Sequence, residues 1–335
     1  MAAKKDGIKR SYKEGRKHKE TMKGMNDMRL IEETKERTVV SFENEEGKVI
    51  LTRCPIFPGV DILYIDAHIE CFSFCAPPVP HVFAINHCEE GRVECQFNNG
   101  EYLYMGHGDM SISWRDHHEY CHTAFFPSAF YRGLSMKISV PQAEPCIRQL
   151  LGEPQFDLGA LCNRFCKNAA FGMIMEATPN MEHLFYELYH VPESIHLRYS
   201  RLKVLEVLLF LGTLDTEFEE KRIYLTKSQV DIVKAVHNSL TENMQQHVTI
   251  DDLAKKYGIA PTTLKRCFKS VYGSTIGQYI KDFRIAIAKR LLETTDASIL
   301  AIANQVGYEN SSKFSVAFKK VTGALPKDYR KNFQQ

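Results

Sequence analysis

The sequence predicts an α+β chain of more than one domain. A strand-rich front domain with a helical extension is followed by an all-α domain built on two helix-turn-helix units. Three observations predict it. Short apolar runs separated by turn residues fill Thr38 to Val140. The apolar spacing becomes helical after Pro141. A helix-turn-helix pattern then occurs twice in the last hundred or so residues.

Length sets the frame: at about 100–200 residues per domain, 335 residues make two domains the default. Apolar residues at 44% and charged residues at 25% are ordinary for a globular chain and exclude fibre and wholesale disorder. The net charge of +2 hides a division. Residues 1–37 carry 12 Lys and Arg against 7 Asp and Glu; 38–223 carry 14 against 25; 224–335 carry 17 against 9. The three segments are therefore +5, −11 and +8, and the basic end is the one suited to a polyanion. We read 1–37 as a basic, mostly disordered head, either a solubilising tail or an arm that adds non-specific nucleic-acid affinity.

The most apolar run, Val204 to Leu214, contains Glu206 and falls short of the roughly 20 residues a bilayer span needs. No apolar stretch follows the opening Met-Ala-Ala-Lys-Lys, so no secretory signal is expected and a cytoplasmic location is. In that setting the ten cysteines are expected as reduced, mostly buried thiols rather than a disulfide framework.

The strand signals come in order. Val39 to Phe42 precedes Glu46-Gly47, and Ile62 to Ile65 follows Pro58-Gly59. Val82 to Ile85 precedes Glu90-Gly91, and Val93 to Phe97 precedes Asn98-Asn99-Gly100. Tyr102 to Met105 precedes Gly106-His107-Gly108. Such spacing suggests a sandwich or small barrel over 38–140. Asn99-Gly100 between two apolar runs marks a hairpin, because both residues tolerate positive φ. Beyond Pro141, Ile147, Leu150 and Leu151 share one helical face, and Phe185, Leu188 and Tyr189 another. A long helix from about Leu197 carries Leu202, Leu205, Leu209 and Leu214 at helical intervals, as domain core or as a dimer seam. The front domain is thus placed at 38–223, with helices from about 141, and the final domain at 224–335.

The repeat carries the function. Ile250, Leu253, Ala254, Gly258 and Ile259 recur 49 residues later as Ile299, Ile302, Ala303, Gly307 and Tyr308. Leu264, Phe268, Lys269, Val271 and Gly273 recur 50 residues later as Phe314, Phe318, Lys319, Val321 and Gly323, so the second copy has one extra residue after its turn. Two units are placed at about 249–272 and 298–322. Ala254 and Ala303 let helices cross closely, and Gly258 and Gly307 end the first helix of each unit in the left-handed conformation. Pro261 suits the first turn of the next helix. Leu264, Phe268 and Val271 point inward in one copy, Phe314, Phe318 and Val321 in the other. The opposite faces offer Thr262, Lys265, Arg266 and Lys269, and Ser311, Ser312, Ser315 and Lys319. Arg and Lys reach guanine O6 and N7, and hydroxyls reach bases or phosphates. Against this stands a packing unit with a merely solvated basic face, which duplication within a +8 segment argues against. Ile276, Tyr279, Ile280, Phe283, Ile287 and Leu291 form a helix between the units, a rigid connector of the kind needed to hold two recognition helices about 34 Å apart, in successive major grooves.

With these residues in view, 226–335 resembles the AraC-type DNA-binding domain. The resemblance is carried by Leu253-Ala254, Gly258 and Leu264 to Lys269, then Tyr279-Ile280, Arg284 and Ala288 to Leu292. It continues through Ile302-Ala303, Val306 to Tyr308, Lys313 to Ser315, Phe318 to Lys320, Gly323, Pro326 and Tyr329-Arg330. It implies that Thr262, Lys265 and Arg266, with Ser311, Ser312 and Ser315, read bases. Lys269, Lys313 and Lys319 would contact phosphate. Tyr308 stands where Phe is usual, and Val316 lies on or near the exposed face of the second reading helix without hydrogen-bonding capacity. The first unit is therefore expected to discriminate more.

The resemblance further implies a cupin-like β-barrel in front that binds a small effector or dimerises. Ile85 to Arg92 with Gly106 to Met110 is similar to the sub-group that includes the pyochelin-uptake regulator, which implies an iron-chelate ligand. His117, His118, Cys121 and His122 form a cluster read as structural or surface, because the His-x-His spacing of cupin enzymes is missing. Cys162 and Cys166 are one helical turn apart and read as packing, so no metal and no cofactor is expected. Trp114, the single tryptophan, is read first as core and second as a pocket wall, and other effector residues are unassigned. Expected partners are double-stranded DNA, a small effector and a second copy of the chain; RNA polymerase is a partner such a role admits. The alternatives are a ligand-independent regulator that only dimerises or contacts proteins, and a cupin-type or cysteine-using alkyl-transfer enzyme fused to a DNA-binding module.

Overall fold

A computed structural model describes residues 28–75, 81–96, 101–115, 121–166, 171–214, 225–246 and 248–333. The chain divides into two compact units, 1–222 and 223–335.

The first unit is mostly sheet. Its strands are β1 (Arg29–Glu33), β2 (Thr38–Asn44), β3 (Gly47–Phe57), β4 (Val60–His68), β5 (Cys71–Cys75) and β6 (Val82–Gly91). They continue with β7 (Val93–Gln96), β8 (Glu101–Met105), β9 (Met110–Arg115), β10 (Cys121–Phe125), β11 (Tyr131–Ser139) and β12 (Phe171–Met175). Eight of them form one sheet in the order β1-β2-β3-β4-β11-β6-β9-β12. β11 is central, pairing antiparallel with β4 from Tyr131↔Ala67 to Ile138↔Val60 and with β6 from Tyr131↔Gly91 to Ser139↔Val82. β5 pairs with β10, and β7 with β8 from Val93↔Met105 to Gln96↔Tyr102. The turn at Asn99-Gly100 lies outside the described residues.

Four helices follow β11: α1 (Val140–Leu151), α2 (Leu158–Phe165), α3 (Pro179–His190) and α4 (His196–Thr213). One face of the sheet meets them in a core that includes Ile62, Phe83, Ile85, Met136, Ile147, Leu161, Phe185, Val204, Val207, Leu208 and Leu211. A second core gathers Phe42, Val49, Phe72, Cys88, Met105, Phe126, Tyr131 and Ile174.

Among the described residues of the head, Arg29–Glu33 adds an edge strand to β2, and Arg37 bridges Glu32 at 2.9 Å and also pairs with Glu193. Four expectations are corrected in this unit. The region after Pro141 is not all helix, because Phe171–Met175 pairs with β9. No closed barrel forms among the described residues, since the large sheet ends on β1 and β12. Alternation of apolar residues announces strands but not their partners. On α4 the inward face is Val204, Val207, Leu208 and Leu211, while Leu202 and Leu209 are 63% and 46% exposed. Leu150 on α1 likewise faces outward while Ile147 is buried.

The second unit is helical: α5 (Lys227–Glu242), α6 (Ile250–Tyr257), α7 (Pro261–Tyr272), α8 (Ile276–Thr294), α9 (Ile299–Gln305), α10 (Ser311–Thr322) and α11 (Pro326–Phe333). No helix of the described residues is long and apolar enough to cross a membrane.

Candidate nucleic-acid interface

The first helix-turn-helix is α6 and α7. Thr249 starts it with a capping box: Thr249 Oγ1 accepts from the Asp252 N–H at 3.1 Å, and Asp252 Oδ2 accepts from the Thr249 N–H at 3.2 Å. Gly258 closes α6 at φ 65°, and Pro261 opens α7 within its first turn. Leu253 and Ala254 of α6 are buried, as are Leu264, Cys267, Phe268 and Val271 of α7. That leaves Thr262, Lys265, Arg266 and Lys269 on the exposed side. Burial pushes the Cys267 thiol up, and the neighbouring Arg266 guanidinium opposes that shift.

The second helix-turn-helix is α9 and α10. Ser298 caps α9, its Oγ accepting from the Ala301 N–H at 3.1 Å. Gly307 follows at φ 82°. The additional residue of this copy places Asn310 as N-cap of α10, where Oδ1 accepts from Ser312 N–H at 2.7 Å and Lys313 N–H at 3.3 Å. The first copy has Ala260 at that place, with no side-chain cap. Ile302, Ala303, Phe314 and Phe318 form the core with Ile285, Ala288 and Leu292 of α8. The ring of Phe318 lies 5.3 Å from that of Tyr329, edge-on.

Ser312 and Lys319 are exposed, as the repeat predicted, and so is Lys313, while Ser311 and Ser315, expected on the same face, are half-buried at the flanks. Val321, expected inward, is 46% exposed. It stands next to the last residue of α10, one turn beyond the Phe314–Phe318 pair, where the core ends. Lys281, Lys320 and Val316 also border this surface, with Val316 72% exposed. Sequence reasoning had passed over Lys281 and Lys320; the signal for Lys320 was its place beside Lys319.

The two copies share packing. α8 spans 19 residues, about 28 Å at 1.5 Å per residue. Its Arg284 donates to the Met244 carbonyl and lies 5.8 Å from the Tyr308 ring centroid. His237 of α5 stacks on Tyr272 at 4.6 Å and its Nε2 meets the Tyr279 hydroxyl at 3.0 Å.

In the first unit Trp114 is half-buried against the main core, its ring 6.0 Å from that of His81. His117 and His118 lie outside the described residues, as do the side chains of Cys121 and His122. Cys162 is buried, Cys166 packs beside it, and burial pushes both thiols up, Cys166 to about 11. Among the described residues no three His, Cys, Asp or Glu side chains are grouped to hold a metal. His87 was not singled out by sequence. It is buried, stacks on Phe185 at 4.2 Å, and places Nδ1 3.0 Å from the Tyr189 hydroxyl. Its Nε2 has no hydrogen-bond partner. Burial above all, with His107 nearby, pulls its pKa down to about 3.

A family model described as a helix-turn-helix domain matches residues 253–332. Regulatory protein SoxS of Salmonella typhimurium is 34% identical over 103 residues, 31% of this chain and 96% of that protein. HTH-type transcriptional activator RhaR of Mannheimia succiniciproducens is 29% identical over 140 residues, 42% of this chain. This chain spans about half (48%) of the length of RhaR. Among solved structures, the C-terminal domain of AraT, a response regulator from Geobacillus stearothermophilus, is 30% identical. That likeness covers 30% of this chain and 84% of the other, with a TM-score of 0.29.

Proposed function

Because the chain belongs to the AraC-type family of DNA-binding transcription regulators, we propose that it binds specific DNA sequences through α7 and α10 and answers to a small molecule held by its front domain. The relatives are regulators, and both enzyme alternatives are set aside. The carrying observation is the pair of equivalent helices, each turning charged or hydroxyl side chains outward and joined through the single helix α8. On this reading Thr262, Lys265 and Arg266 read one major groove and Ser311, Ser312 and Ser315 the next. Lys269, Lys313 and Lys319 hold phosphate. Such a regulator works beside DNA in the cytoplasm, where RNA polymerase is a further partner.

The test is binding of full-length protein to DNA from its own upstream region across a salt series, against a scrambled duplex. Arg266→Ala should cost ~1–3 kcal/mol on the preferred site while barely changing the scrambled one. Lys269→Ala should weaken both alike and reduce the salt slope by about 1. Equal affinity of the wild type for both duplexes, with and without candidate effectors, would sink the proposal.

A second reading, a front domain that only pairs with another copy, is favoured by Leu202 and Leu209, exposed on one side of α4. Thermal-shift screening with small metabolites and iron chelates separates the two. A ligand bound by the folded state alone, at 100 times its Kd, should add ~2.7 kcal/mol of stability. A pure pairing domain should instead show melting that depends on protein concentration only.

A further inference from the structure

We propose that Val316 is a specificity-determining residue that reads the C5-methyl group of a thymine in the second half of the operator. The inference rests on the proposed DNA-reading role and extends it to a position without hydrogen-bonding capacity.

Internal equivalence locates the residue. Across the 50-residue offset, Leu264 becomes Phe314, Phe268 becomes Phe318 and Lys269 becomes Lys319, each keeping its burial class. By the same offset Arg266 becomes Val316. On a helix of 3.6 residues per turn, Val316 falls roughly opposite the midpoint of Phe314 and Phe318. It is therefore the α10 residue aimed most directly away from the core, and it is 72% exposed.

The surroundings argue for nucleic acid as the occupant. Val316 and Ala317 border a shallow groove whose other walls are Lys281, Ser312, Lys313 and Lys320. α10 carries Lys313, Lys319 and Lys320 and no acidic residue. A small apolar contact between cations matches a base edge between two phosphate strands. In the major groove the thymine methyl is the apolar feature among hydrogen-bonding groups. A lone exposed valine is ordinary on a protein surface. This one stands where the sister copy presents an arginine.

To test this, full-length protein is used to enrich duplexes from a random library. Each thymine of the enriched site is then replaced singly by deoxyuridine, which keeps pairing but lacks the methyl. Affinities are measured for the wild type and for Val316→Ala, whose melting temperature should be unchanged. One thymine, outside the half-site to which Arg266→Ala is sensitive, should show an approximately fourfold loss with the wild type, the factor that burial of one methyl corresponds to. Val316→Ala should lose that sensitivity and leave the other thymines as they were. Val316→Arg should shift the enriched base at that position toward guanine.

Deoxyuridine replacements that leave the wild type unaffected, or that weaken both proteins equally, overturn the proposal. So does a Val316→Ala protein that binds DNA normally but activates a reporter poorly, which would assign the groove to a protein partner. A library from which no sequence is enriched overturns sequence reading itself, and this proposal with it.

Discussion

Replacing Gly307 by alanine is expected to destabilise the helical unit by about 3 kcal/mol or more, whereas Gly258→Ala is expected to cost about 1 kcal/mol. The two glycines hold equivalent places in the repeat and both have positive φ, 82° and 65°. Left-handed strain is therefore common to both, ~1–2 kcal/mol for a residue with a Cβ. The surroundings differ. A Cβ on Gly258 would meet nothing within 4 Å. A Cβ on Gly307 would lie 2.1 Å from the Met244 carbonyl oxygen and 2.9 Å from an Arg284 nitrogen. The arginine side chain can swing away, but the backbone oxygen cannot move without shifting the segment that carries it. Chemical denaturation of the two variants checks this, and similar losses at both sites would contradict it.

The second expectation concerns acid. His87 is held neutral in the folded protein, with its pKa pulled to about 3, while in the unfolded chain it returns to about 6.5. Between those values the unfolded state binds the proton and the folded state does not. Stability from this group is thus complete above pH 6.5 and is lost as pH falls toward 3. By pH 5 the loss should reach about 2 kcal/mol. The groups that face the ring are the Tyr189 hydroxyl, the Phe185 face and, by its charge, His107. In His87→Leu the slope of stability against pH between 6.5 and 5 should flatten by up to one proton, whatever the substitution does to stability at pH 7. A slope identical to that of the wild type would mean that His87 takes up its proton over the same pH range in the folded as in the unfolded protein.

Much of the second unit was legible because its signals are local and doubled. Gly258, Leu264 and Phe268 each state a steric requirement, and the offset copy states it again as Gly307, Phe314 and Phe318. Val321 escaped because periodicity continues past the end of a core: it keeps the register of Val271, but at the end of α10 it is not covered. In the first unit the β7–β8 hairpin was readable from its two flanking apolar runs, yet the order β4-β11-β6-β9 was not. Those neighbours are set by contacts distant in sequence. The α4 helix misled for a simpler reason. Leu202, Leu205 and Leu209 satisfied the helical period, but so did Val204, Val207, Leu208 and Leu211, and only packing could choose between two apolar faces. Of the residues proposed to face DNA, those with charge or hydroxyl groups were nameable at once. Val316 was placed on the exposed face by the sequence, and the structure adds that it is the α10 residue turned most directly from the core, 72% exposed; His87 emerged only from its environment.

The crowding at Gly307 also bears on how such a module can change over generations. Its neighbours, Met244 and Arg284, belong to neither helix of the second copy. A second unit moved alone into another chain would carry a glycine shaped by walls it had left behind. A first unit copied into its place would bring Gly258, whose setting is open. The duplication has thus ceased to be a pair of interchangeable parts: one copy is held at its turn by backbone conformation alone, and the other is bound to its host as well.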